Sequence, residues 1–261
     1  MEKNALFDIQ NLKIGYSVKG KSSLSVAKNL NHQFKSGELL ALIGVNGIGK
    51  STLIKTLTGL MPALGGKMLL KGLEVESYTP VQRAQLISLV LTRKNAAPNL
   101  LVKEVLALGR QPHLNWWGQL QGEDHRIIQE VSSLLSLDRL LEKNCTELSD
   151  GQLQKVLLGR AIVQDTPLIL LDEPTTHLDL EHKAELLGLL KQLCREKGKT
   201  ILYSTHDIEW ALEISDRIWL MDGKDNPVFT PEEGIASGLF DRLFSREFLQ
   251  FDRQNRRFKL Q

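Results

Sequence analysis

The sequence predicts an α/β fold built on a mixed or parallel sheet. Segments of strand character alternate along the chain with segments of helical period. Two short runs, Leu39–Ile43 and Leu168–Leu171, are apolar at every position, as strands buried on both faces require. The stretch from residue 100 to about 164 is mostly helical and separates the two strand-rich parts. Composition agrees with a globular protein. Of 261 residues, 42% are hydrophobic and 25% charged, which excludes a disordered or fibrous chain. That length suits one large domain, or a core domain with a smaller one appended. Lys and Arg total 33 against 31 Asp and Glu, a formal charge of +2, and this near-balance argues against a dedicated nucleic-acid binder. No apolar run approaches the roughly 18 residues of a membrane helix. Met1–Ala5 lacks a basic-then-apolar leader, so a soluble, intracellular protein is expected. Cys145 and Cys194 belong to no CxxC or His/Cys cluster and read as reduced structural thiols.

Each element follows in order. Ala5–Gln10, Leu12–Tyr16 and Asn29–Phe34 alternate like short strands, punctuated by Gly15, Gly20 and Ser36-Gly37. Leu39–Ile43 is the first buried strand. A helix follows, with Leu53, Ile54, Leu57 and Leu60 on one side. In the helical stretch, Val102, Val105, Leu106 and Leu108 form one group, and Ile127, Ile128, Val131, Leu134 and Leu135 another. The Trp116-Trp117-Gly118 loop lies between them. Leu168–Leu171 is the second buried strand, entered through Pro167. Glu181–Lys197 is an amphipathic helix with Leu186, Leu189, Leu190 and Leu193 inward and Gly198 as its stop. Ile201–Ser204 and Ile218–Met221 complete the strands. Leu239, Phe240, Leu243, Phe244 and Phe248 recur at helical spacing and read as a core-packing stripe. Residues 251 to 258 read as a small hairpin with a basic turn, taken as a solvated tail.

Gly44-Val45-Asn46-Gly47-Ile48-Gly49-Lys50-Ser51-Thr52 matches G-x-x-x-x-G-K-[ST], and it sits after a buried strand and before a helix. Glycines let the backbone N–H groups wrap a phosphate, and the helix opening near Lys50 adds the positive end of its dipole. Lys50 would reach the β- and γ-phosphates, and the Ser51 hydroxyl would bind Mg²⁺. A plain Gly-rich turn is the bland alternative, but the pattern arises by chance in such a chain only about one time in a hundred. A hydrolase of this type also needs an acid at the end of a neighbouring strand and a base for the attacking water. Leu168–Leu171 ends in Asp172-Glu173-Pro174. Asp172 is the Mg²⁺ candidate, directly or through a water, and Glu173 the base candidate; a charged strand end that only caps the sheet is the alternative.

Three further segments resemble the ATP-binding-cassette ATPases. Leu148-Ser149-Asp150-Gly151-Gln152 is similar to their LSGGQ signature, Thr176-His177-Leu178-Asp179 to the D-loop, and Ser204-Thr205-His206-Asp207 to the switch histidine. Tyr16 stands where the family has its adenine-stacking aromatic. The resemblance covers about residues 5 to 225, with the motifs in the family's order. It looks strongest toward ATPase subunits of iron–siderophore, haem and cobalamin importers, through Gly109-Arg110-Gln111-Pro112-His113, Trp117-Gly118, Gln164–Pro167 and Glu173–Asp179.

The resemblance implies a P-loop NTPase core with an N-terminal antiparallel β subdomain and an inserted helical subdomain at about 93–164. It places the ATPase domain at 1–225 and a small helix/hairpin extension at 226–261. It implies ATP and Mg²⁺ as ligands, with Tyr16, Gly44, Asn46, Gly47, Gly49, Lys50, Ser51, Thr52, Ser149, Gly151, Gln152 and Asp179 around the nucleotide. Glu173 and His206 are then catalytic, and Ser51, Asp172 and Thr92 lie at the metal. Implied partners are transmembrane permease subunits, a second copy in a head-to-tail dimer and, indirectly, a substrate-binding protein, with no nucleic acid. The expected place is the cytoplasmic face of the membrane. Ser149 and Gly151 offer a hydroxyl and an N–H at a helix start, so an N-cap and an anion contact are compatible roles there.

Two positions depart from the family. Thr92 stands where the Q-loop glutamine is usual, and its hydroxyl could meet the metal only through a water. Asp150 replaces a signature glycine and is expected to point to solvent or to be paired. His177, Glu181 and His182 have the wrong spacing for a helical zinc motif and read as surface. His32, His113 and His125 read as structural. A soluble cassette ATPase serving iron–sulfur assembly is the rival from another class; signature and Q-loop neighbourhood favour the importer. One P-loop excludes a duplicated translation-type cassette, and no heptad insertion suggests a chromosome ATPase.

Overall fold

A computed structural model describes residues 5–17, 23–91, 99–176, 178–243 and 249–260. Strands β1 (Phe7–Tyr16) and β2 (Leu24–Phe34) pair antiparallel. The register slips near Asn11 and Asn29, whose φ values of 48° and 57° are left-handed. Asparagine tolerates that region, so each makes a bulge instead of a strand end. The expected break at Asn11 is therefore a bend within one strand. Next comes β3 (Leu39–Ile43), every residue of which is fully buried. Helix α1 (Lys50–Leu57) turns Leu53, Ile54 and Leu57 inward. Leu60 lies beyond its end and is 63% exposed, a correction to the predicted stripe. Strands β4 (Gly65–Leu70) and β5 (Leu73–Glu74), absent from the sequence reading, complete a four-stranded sheet in the order β2-β1-β4-β5.

Helix α2 (Pro80–Ala84) opens on a capping box between Thr79 and Gln82, and β6 (Ile87–Val90) follows. The helical stretch holds α3 (Val102–Leu108), α4 (Gly122–Leu134) and α5 (Asp150–Val163), with short 3₁₀ turns between them. Arg110 is buried among them, donating from Nε to Asp124 at 2.7 Å and from a guanidinium N–H to the Val163 carbonyl. Leu108 and Leu134 are exposed. Then come β7 (Leu168–Leu171), α6 (Leu180–Lys197), β8 (Thr200–Thr205), α7 (Ile208–Ile214), β9 (Arg217–Leu220), β10 (Val228–Phe229), α8 (Pro231–Ser237), and the hairpin of β11 (Leu249–Asp252) and β12 (Arg257–Leu260). Gly198 ends α6 in the left-handed region as expected.

The second sheet has the order β10-β9-β3-β8-β7-β6 and is parallel except for β10. Strand β8 therefore lies between β3 and β7, so the carboxylate-bearing strand is one strand removed from the P-loop strand, not its neighbour. The sheet divides two apolar layers. Leu39, Ala41, Ile43, Ile169, Leu171, Ile201 and Tyr203 face the layer with α5, α6 and α7. Leu40, Leu42, Leu168, Leu170 and Leu202 face α1 and the antiparallel sheet. Among the described residues no helix is long and apolar enough to cross a membrane.

The C-terminal hairpin forms as expected, yet it is not a solvated tail. Phe251 is buried and its ring lies 4.9 Å from Phe240, which in turn meets Phe229 at 5.7 Å. Leu239–Arg242 is a 3₁₀ turn, with Phe240 and Leu243 buried; Phe244 and Phe248 lie outside the described residues. Three rings at these separations bury enough apolar surface to dock the hairpin on the core. Phe240→Ala should accordingly lower unfolding free energy by about 3–5 kcal/mol, the cost of removing a core phenylalanine. Urea titration checks it, and a change under about 0.5 kcal/mol, as at an unpacked surface position, would refute the docking.

Candidate nucleotide site

The loop from Gly44 to Gly49 joins β3 to α1 at the C-terminal edge of the parallel strands, where ligands of open α/β sheets gather. Gly49 has φ 116°, and a Cβ there would run into the Val26 side chain. A Cβ on Gly44 would come within 2.7 Å of the Met221 carbonyl. Both positions thus require glycine, one for its backbone angle and both for close approach. Val45, Asn46 and Gly47 form the exposed crest. No acidic side chain lies in the first turn of α1 and no side chain caps it, so its opening N–H groups keep their attraction for an anion.

Lys50 is buried, and its Nζ donates to the Gly44 carbonyl at 2.9 Å. Burial holds its pKa below the usual lysine range, against the opposing pull of Glu173 and Asp172. The loop thus holds its lysine folded back on its own carbonyls, close to both carboxylates. Ser51 is exposed and Thr52 buried. The Tyr16 hydroxyl lies 2.9 Å from Thr52 Oγ1, tying the end of β1 to α1 while 46% of the tyrosine stays exposed.

Asp172 is buried at the end of β7. Glu173 adopts φ 48°, an uncommon angle for a residue with a Cβ and a form of strain that clusters at functional sites. Its N–H donates to Ser204 Oγ at 2.8 Å, and Ser204 donates to Asp172 Oδ1 at 2.8 Å. Thr176 donates to Glu173 Oε2 at 3.2 Å. His206 is exposed just past β8, while neighbouring Asp207 pairs with Lys183 at 2.7 Å.

Ser149 caps α5 through a capping box: its hydroxyl accepts from the Gln152 N–H, and Gln152 Oε1 accepts from the Ser149 N–H. Asp150 sits exposed in the first turn of α5, where the positive end of the helix dipole favours a carboxylate. Gly151 faces Leu178 and His182. Asp179 caps α6, accepting from both the backbone N–H and Nδ1 of His182, and these bonds hold its carboxyl below the usual range. His182 is thereby engaged, and among the described residues no His, Cys, Asp and Glu group could hold a metal on its own. Thr92 and His177 lie outside the described residues.

The structure therefore gathers Gly44–Thr52, Tyr16, Asp172 and Glu173 in one place, and ties Ser149–Gln152 to the turn before α6. Sequence reasoning missed Ser204 as a member of the carboxylate group. In the sequence it stands only as part of the strand leading to His206.

A glycine loop on a buried central strand, a buried lysine and strand-end carboxylates define a P-loop nucleoside triphosphatase. The family model for the ABC transporter matches residues 27–176, and the chain belongs to that family, whose ATP-binding subunits hydrolyse ATP for transport. The ferric enterobactin transport ATP-binding protein FepC of Escherichia coli is 33% identical, over 89% of this chain and 86% of its own. The petrobactin import ATP-binding protein FpuC of Bacillus anthracis is 34% identical, over 84% and 81%. A dimeric bacterial ABC transporter cassette superposes with a TM-score of 0.76 at 27% identity, over 86% of this chain and 98% of that one. The chain is similar to an ABC transporter in an inward-facing conformation as well, with a TM-score of 0.79 at 27% identity, over 92% and 89%.

Removing the ring at position 16 should weaken ATP binding by about 1–3 kcal/mol, the worth of a base on an aromatic platform. Tyr16→Phe, which keeps the ring and loses only the bond to Thr52, should retain most of the affinity. Titration with a fluorescent ATP analogue compares Tyr16→Ala with Tyr16→Phe; equal losses in both would show that the ring does not stack.

Proposed function

We propose that this chain is the ATP-hydrolysing subunit of an importer that takes up an iron chelate, haem or cobalamin through a separate permease. The observation that carries the reading is the convergence of Lys50, Asp172 and Glu173 behind the glycine loop. The similarity to FepC and FpuC supports the substrate class. In this reading the N–H groups of Gly44–Thr52 and the Lys50 ammonium hold the β- and γ-phosphates, with Tyr16 against the base. Glu173 accepts a proton from the attacking water, and His206 orients the γ-phosphate end.

The exposed Ser51 hydroxyl and the Asp172 carboxylate are hard oxygen donors, and such a set fits Mg²⁺. When bound, the ion would supply neutralisation of the phosphate charge. Two copies would close head to tail, the Ser149, Gly151 and Gln152 segment of one meeting the γ-phosphate held by the other, with Asp179 beside it. Similarity to a dimeric cassette supports this arrangement. Residues 1–225 form the ATPase domain, with about 93–164 as the helical part that meets the permease and 226–261 as an extension. The subunit would sit at the cytoplasmic face of the membrane and reach a substrate-binding protein only indirectly, through the permease.

Glu173→Gln should keep ATP binding and slow hydrolysis by about 10²- to 10⁴-fold, the usual contribution of a positioned base. It should also trap an ATP-bound dimer on size exclusion. Turnover near wild type would take Glu173 out of the chemistry. Reconstitution with the permease and binding protein, followed by uptake of ferric siderophores, haem and cobalamin, tests the substrate class. ATP-dependent uptake of none of the three would overturn it.

A further inference from the structure

Strand β8 separates the P-loop strand from the carboxylate strand, and one side chain on it spans the gap. Ser204 is fully buried, paired across the sheet with Leu42 of β3. It lies on the same sheet face as Leu202 and Leu42, the face toward α1. A hydroxyl has one proton and spare lone pairs, and here both are used in a fixed direction. The proton goes to Asp172 Oδ1 and a lone pair accepts the Glu173 N–H, both at 2.8 Å. That N–H belongs to the residue with φ 48°, whose side chain must face the nucleotide for the base role. The Glu173 side chain is steadied by Thr176 Oγ1 at 3.2 Å, a longer bond.

We infer that Ser204 is a positioning residue for ATP hydrolysis: a single hydroxyl fixes the rotamer of the Asp172 carboxylate and the left-handed backbone of Glu173 at once. The inference rests on the roles proposed for those two carboxylates. Its logic is local. Without the bridge, the Glu173 N–H loses its part-buried partner, a penalty the chain relieves by letting the backbone leave the strained angle. The base then swings away from the line of attack, and Asp172 loses the bond that orders one of its oxygens. ATP itself touches neither partner of the bridge through Ser204, so nucleotide binding by the loop should survive. Ser204 also stands two residues before His206, which lies just past the end of β8, so the strand leading to that histidine is bonded directly to the carboxylate pair.

The test is steady-state hydrolysis by the full chain carrying Ser204→Ala, Ser204→Cys or Ser204→Thr, with Glu173→Gln measured alongside. Alanine removes the hydroxyl with almost no change of volume, and cysteine keeps the volume but is a weak hydrogen-bonding group. Both should lower kcat about ten- to a hundredfold, the size expected for a misplacement near 1 Å, while KM for ATP moves less than about threefold. The Mg²⁺ concentration for half-maximal rate should rise in both. Threonine, which keeps the hydroxyl, should restore kcat to within about threefold of wild type. A purely structural role would instead lower the melting temperature and leave kcat per folded molecule and the Mg²⁺ dependence unchanged. Wild-type kcat in folded Ser204→Ala or Ser204→Cys, with Glu173→Gln inactive, overturns the inference alone. Wild-type turnover in Glu173→Gln overturns the site reading beneath it.

Discussion

The site depends on the burial of β3. Five consecutive apolar residues, each with no solvent exposure, sit between two apolar layers, and each leucine contributes about 1.5–3 kcal/mol by leaving water. A strand held from both sides and both edges cannot tilt, so the loop leaving it at Gly44 starts from a fixed point. The close approach of Gly44 to Met221 and of Gly49 to Val26 then leaves the loop no room to open outward. Rigidity in the sheet becomes rigidity in the phosphate cradle.

Around that cradle the charges balance instead of cancelling. Lys50 is buried at a cost in its protonation, and Glu173 and Asp172 offset part of that cost. A lysine bonded to its own loop carbonyls is free to exchange those weak acceptors for phosphate oxygens, which are charged and therefore stronger partners. The strain at Glu173 belongs to the same economy of positioning: a left-handed glutamate persists only where neighbours over-determine it, and Ser204 and Thr176 bond it here. At the other centre, the capping box of α5 and the Asp179 cap of α6 order two helix starts that face each other through Gly151 and His182.

Much of this was legible in the sequence because it is local. The G-x-x-x-x-G-K-S pattern, the Leu168–Leu171 run ending in Asp172-Glu173, the Ser149 N-cap and the Gly198 stop each depend on residues close together in the chain. Periodicity failed at an element end, where Leu60 carries the right spacing but lies beyond α1 and is exposed. It failed again at β4 and β5, whose short, glycine- and lysine-containing sequence gives little strand signal and pairs only because β1 offers an edge.

The sequence by itself determined the chemistry: which residue types cradle a phosphate, which carboxylates end a buried strand and which family that order resembles. Only the tertiary structure decided who stands beside whom. Strand order is set by long-range pairing, which no local pattern encodes, so the insertion of β8 between β3 and β7 could not be read in advance. The docking of Phe251 on Phe240, the tether of Tyr16 to Thr52 and the Ser204 bridge have the same origin. Each joins residues distant in the chain, through a distance and an angle that exist only once the core has packed.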